Sequence, residues 1–99
     1  MFDKIKQLKE LRDQAKNMKD QLAEVTVSAQ TMHDKITVVM DGNQEVISID
    51  IDPTLLTADN KEELEKELAK AINDAAKKAK MEMARQFQQG GFSLPNLGN

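Results

Sequence analysis

Lys35–Leu56, KITVVMDGNQEVISIDIDPTLL, is the stretch whose reading decides the fold. Ile36, Val38 and Met40 alternate with Thr37, Val39 and Asp41, and then Ile47, Ile49 and Ile51 alternate with Val46, Ser48, Asp50 and Asp52. Successive side chains of a strand point to opposite faces, so period-two alternation rich in β-branched residues marks a half-buried strand. Asp41-Gly42-Asn43-Gln44 between the two runs predicts a tight turn, glycine and asparagine reaching positive φ at little steric cost. The stretch reads as an antiparallel hairpin with one apolar face. A lone hairpin is marginal in water, so its neighbours must supply a third strand and a helix. Pro53 stops the second strand and drops Leu55 and Leu56 back onto the sheet.

Working outward to the N-terminal side, Glu24–Ala29 predicts a short third strand with Val25 and Val27 on one face and Thr26 and Ser28 on the other. Gln30–Asp34 is a polar connection containing His33, the only histidine. With no cysteine and no second histidine beside it, His33 lacks metal-site company and reads as a loop residue. Asp50 and Asp52 share the outward face and, without a third ligand, read as solvated carboxylates.

From Asp3 to about Val25 there is no proline or glycine, and Leu8, Leu11, Ala15, Met18, Leu22 and Val25 recur at alternating spacings of three and four. That is a narrow helical seam of the kind that packs against another helix. At 1.5 Å per residue the helix would be roughly 34 Å long, as long as a small domain is wide, so part of it should protrude or meet a second subunit. Lys9, Arg12, Lys16 and Lys19 fall beside the seam and form one positive edge about three turns long, while Asp13 and Asp20 lie beyond it. Two readings of this edge stand. It is either a solvated face laced with Lys9/Asp13 and Lys16/Asp20 pairs, worth a few tenths of a kcal/mol each, or an edge that tracks phosphates.

On the C-terminal side, Asp59 to about Gln88 predicts a second long helix, capped by Asp59 or Asn60 with Glu62 or Glu63 three residues on. Leu64, Leu68, Ala71, Ile72, Ala75, Ala79 and Met83 form an arc wide enough to cover a sheet. Acidic residues crowd its start, and Lys77, Lys78, Lys80 and Arg85 crowd its end, which complements the helix dipole and also leaves that end locally basic. Gly90–Asn99 carries a glycine pair and a proline and reads as a flexible tail beyond a single domain at 1–89.

The chain has 99 residues, 39% hydrophobic and 31% charged, with three phenylalanines and no cysteine. One small aliphatic core is all it can build, and self-association is the obvious way to enlarge it. No disulfide or thiol chemistry is available, and neither a signal-peptide run nor a membrane-length apolar run occurs, so a soluble cytoplasmic protein is expected. The formal charge of -3 argues against an all-over basic surface. It is unevenly spread: residues 1–22 carry six Lys/Arg against four Asp/Glu, 23–60 one against seven, and 61–99 seven against six, for local balances of +2, -6 and +1. No phosphate loop, HExxH, nucleophile–histidine set, zinc spacing or calcium loop is present, and no catalytic residue, metal or cofactor is expected.

With the whole order in view, the chain resembles the YbaB/EbfC family of bacterial nucleoid-associated proteins. The likeness is carried by the first helix ending in Leu22-Ala23-Glu24-Val25, the hairpin Ile36 to Gly42, and Glu45-Val46 through Ile51-Asp52-Pro53-Thr54-Leu55-Leu56. It continues in Ala71-Ile72-Asn73-Asp74-Ala75 and in the glycine-, leucine- and proline-containing tail. The resemblance implies an α+β homodimer whose first helices project like tweezer arms and which binds double-stranded DNA in the nucleoid. Carried onto this chain, the DNA-contacting positions it implies are Lys9, Arg12, Lys16 and Lys19, then Lys77, Lys78 and Lys80. The residues themselves leave a second class open, a dimeric protein-interaction module whose charges serve solubility.

Overall fold

The computed structural model describes residues 2–90, Phe2 in its backbone alone. In chain order these form α1 (Phe2–Ala23), β1 (Thr26–Thr31), β2 (Ile36–Asp41), β3 (Val46–Ile51), two single 3-10 turns (Pro53–Leu55 and Ala58–Asn60) and α2 (Lys61–Gln88). The architecture is α+β, as the alternation and helical spacings predict. β2 is the middle strand of an antiparallel sheet ordered β1-β2-β3, and Ile36, Val38 and Met40 are its buried face. β1 begins at Thr26, two residues later than expected, because the Val25 N–H still donates to Leu22 O (3.1 Å) in the turn that closes α1. Its far end extends to Gln30 and Thr31, paired with Thr37 and Ile36.

α2 lies across β1 and β2. Ala71, Ala75 and Ala79 are fully buried against the sheet, their single methyl groups allowing close approach, with Leu64, Leu68 and Ile72 packed around them. Two bonds fix the helix to β1: Thr31 Oγ1 donates to Glu67 O (3.2 Å), and Lys78 Nζ donates to Ser28 O (2.9 Å). A helix is about 10 Å across and strands stand about 4.8 Å apart, so one helix covers about two strands. β3 is therefore left partly bare, with Ile47 53% and Ile49 44% exposed. Its alternation is also interrupted. Val39 pairs with Ser48 but Met40 pairs with Val46, which makes Ile47 the extra residue of a bulge.

The β2–β3 turn differs from expectation in which residue bends. The Gln44 N–H donates to Asp41 O (3.0 Å), the Asp41 N–H donates to Glu45 O (3.0 Å), and the positive φ falls on Gln44 (63°) rather than on glycine or asparagine. This is a three-residue hairpin loop whose last residue is left-handed. The buried Asp41 carboxylate accepts from the backbone N–H groups of Asn43 (2.9 Å) and Glu45 (3.0 Å) and holds the loop in shape. Gly42 is needed for another reason: its N–H donates to Leu22 O (2.9 Å), and an added Cβ would stand 2.7 Å from that oxygen.

α1 meets the rest of the molecule at its C-terminal end, where Met18 and Leu22 pack with Val25 and Met83, and Asn43 Nδ2 donates to Lys19 O (3.0 Å). The seam expected to pack along its length is used there alone, and Leu8 and Leu11 are 65% and 60% exposed. The molecule measures 63 × 29 × 16 Å with a radius of gyration of 18.7 Å. A compact chain of this length would have about 13 Å.

The capping box expected at α2 is not formed. Asn60 stands at the N-cap with near-helical angles (φ -93°, ψ -1°) and no side-chain cap bond. A side chain caps from extended backbone, whereas here the turn Ala58–Asn60 leads straight into the helix. At the other end Gly90 has φ 69°, and the Gly90 N–H donates to Phe87 O (3.2 Å). The remainder of the tail expected at 90–99 lies outside the described residues.

Candidate nucleic-acid interface

Lys9, Arg12, Lys16 and Lys19 are all exposed on α1 at spacings of three, four and three, which keeps them on one side of the helix over about 15 Å of its axis. Asp13 and Asp20 stand one turn beyond Lys9 and Lys16, yet the ion pairs among the described residues are Lys61–Glu65 (2.8 Å) and Arg85–Glu82. None draws on the α1 edge. An exposed pair gains too little to hold two long side chains in one geometry, so the four cations stand in solvent. Their setting answers the objection from net charge. The acidic balance belongs to residues 23–60, and although Lys19 lies where α1 joins that layer, Lys9 stands about 21 Å along the axis from the end of α1, more than twice the roughly 8 Å screening length at physiological salt.

The second set divides. Lys77 and Lys80, three residues apart, are exposed on one side of α2. Lys80 lines a groove with Leu22 and Asn43, at the root of α1, and Asn43 is in turn held by the Lys19 carbonyl. Lys78 points elsewhere, its ammonium donating to the Ser28 carbonyl of β1. From α2 it thus occupies a carbonyl of the outer strand β1, a group that edge would otherwise offer for pairing. The roles of Asn43, which ties the turn to α1, and of Gln44, whose Nε2 donates to Ala76 O (3.4 Å), carry no signal in the sequence beyond their turn position.

The carboxylates serve structure. Asp52 Oδ1 accepts from the Thr54 hydroxyl (2.7 Å) and backbone N–H (2.8 Å), and these bonds hold its carboxyl below the usual range. Asp50 is exposed. Glu82, bonded by Arg85 and then by Gln86, is lowered to about 2, and Arg85 is raised in return. His33 sits exposed in the β1–β2 turn, where Met32, His33 and Asp34 all have positive φ (53°, 55° and 67°). Among the described residues no cluster of three or more His, Asp or Glu is placed to hold a metal ion, and no helix is long and apolar enough to cross a membrane.

Residues 1–92 match the model of the YbaB/EbfC DNA-binding family. A nucleoid-associated protein of Afipia carboxidovorans is 35% identical over 96 residues, covering 95% of this chain and 91% of that protein. One from Nitrobacter hamburgensis is 36% identical over 93 residues, covering 92% and 88%. The crystal structure of the uncharacterized protein HP0035 from Helicobacter pylori shares the fold, with a TM-score of 0.61 at 19% identity, over 79% of this chain and 90% of that one. A protruding cationic helix on a small α+β body, matched over nearly the full length, places the chain in the YbaB/EbfC DNA-binding family.

Proposed function

We propose that this chain is a non-enzymatic, nucleoid-associated DNA-binding protein that acts as a homodimer. The observation that carries the reading is the unpaired row Lys9, Arg12, Lys16 and Lys19 on a helix standing clear of an acidic body. The names of its relatives point the same way. Such a row contacts phosphates, which position a protein on a duplex with little base readout, and Lys77 and Lys80 extend it at the root of the arm. Lys78, committed to Ser28, contributes less.

Self-association is supported by the difference between the two sheet edges. The β1 edge has a carbonyl taken by Lys78, whereas β3 leaves Val46, Ile47 and Ile49 exposed. A two-fold interface through β3 would complete the small core and set two arms on one particle.

Fluorescence anisotropy with a DNA duplex at several salt concentrations tests the reading. With about four phosphates neutralised per dimer, log K falls against log[salt] with a slope near -3.6. A flat salt response, or unchanged affinity after Lys9, Arg12, Lys16 and Lys19 are all made glutamine, overturns it. The exposed Ile5, Leu8 and Leu11 favour a second reading, a protein-interaction module gripping a partner helix. A stoichiometric protein partner that survives nuclease treatment, together with a flat salt response, would select that one.

A further inference from the structure

The N-terminal half of α1 carries an apolar strip that the body leaves uncovered. Ile5, Leu8 and Leu11 are 67%, 65% and 60% exposed, and Ala15 one turn on is exposed as well. At 100° per residue the strip borders Arg12 and Lys19 directly, with Lys16 and Lys9 next round the helix. All four carboxylates of α1, those of Asp3, Glu10, Asp13 and Asp20, project from the remaining half. The face that a polyanion can approach without meeting a like charge therefore includes the strip as well as the cations. Near the tip, Ile5, Leu8, Lys9 and Arg12 together line a recess of about 370 Å³.

We infer that this face enters the major groove of DNA, where the strip covers the C5 methyl groups of thymine while the cations beside it hold phosphates. The inference rests on the DNA-binding reading above and adds what the arm meets between the phosphates. The dimensions agree. The major groove is about 12 Å wide and admits a helix of about 10 to 12 Å diameter, whereas the minor groove, about 6 Å wide, does not. Ile5 to Ala15 covers about 15 Å of axis, or about four base pairs at about 3.4 Å each. On the strip's other flank Gln7 and Gln14 offer amide donors to the opposite wall of the groove. Thymine alone among the four bases presents a methyl group there, and it is the feature of a base edge that an apolar side chain can read. Seated in this way, Leu8 and Leu11 are covered without a partner helix.

The test measures binding of the full chain by fluorescence anisotropy to duplexes of one length: an A·T duplex, the same duplex with deoxyuridine for thymidine, a G·C duplex, and the same duplex with 5-methylcytosine for cytosine. Each exchange deletes or adds a methyl group in the major groove and leaves phosphate charge and pairing alone. Deoxyuridine is expected to weaken binding about four-fold for each methyl covered, and 5-methylcytosine to strengthen it, with one salt slope throughout. The preference should vanish when Leu8 and Leu11 are both made glutamine, which keeps helix propensity and removes the apolar side chains. Equal affinity with and without the methyl groups, at an intact salt slope, overturns the inference and leaves the DNA-binding reading standing. A deoxyuridine effect that 5-methylcytosine does not mirror overturns it as well, since the loss then follows duplex shape. So does a preference that survives in the glutamine variant, which puts the methyl contacts elsewhere on the protein. Absence of binding to all four duplexes overturns both the inference and the reading it rests on.

Discussion

In the body, Ile36 and Val38 are fully enclosed by the sheet and α2, whereas in the arm Leu8 and Leu11 of an equally apolar pattern lie in solvent. The sequence periodicity is as clean in one region as in the other. What differs is whether a second element is within reach: β2 has a strand on each side and a helix above, while the N-terminal half of α1 has none. An apolar repeat states what a segment can pack against, and topology decides whether anything arrives.

Substitutions sharpen this contrast. Ile36→Ala should cost about 3 kcal/mol, from lost transfer energy and a cavity, while Leu8→Ala should stay within about 0.5 kcal/mol; urea unfolding of both measures the difference. Equal costs would mean that the arm is packed in solution. Gly42→Ala tests the joint between the regions. A Cβ would meet the Leu22 carbonyl, which belongs to backbone and cannot swing away, so a loss of about 2 kcal/mol in urea unfolding is expected. Gln44→Gly relieves a left-handed residue in the body's hairpin and should raise stability by about 1 kcal/mol, read as a higher urea midpoint.

The smallest effect is pH-dependent. Glu82 has its carboxyl lowered from 4.5 to about 2 by Arg85 and Gln86, so what it contributes is present above the unfolded value and lost as pH falls through about 2. A parent-minus-variant gap in melting temperature for Glu82→Gln should be present at neutral pH and close between about 4.5 and about 2. Because the pair is exposed, the gap is small.

Much of the body was legible in the sequence. Alternation at Ile36–Met40 and the alanine face of α2 locate the core, since both periods follow from backbone geometry. The bulge at Ile47, the left-handed Gln44 and the missing cap at Asn60 were not, because each depends on how neighbouring turns close. At the candidate interface, spacing sufficed to align Lys9, Arg12, Lys16 and Lys19. It did not reveal that these cations stay unpaired, a matter of tenths of a kcal/mol, nor that Lys78 reaches a carbonyl fifty positions earlier.

The 63 Å length of this slender chain bears on how its stoichiometry is measured. A rod tumbles and diffuses more slowly than a sphere of equal mass, so one 11.1 kDa subunit would leave a sizing column early, in the fraction where a globular pair elutes. Light scattering, which weighs particles regardless of outline, is the technique that separates one copy from two.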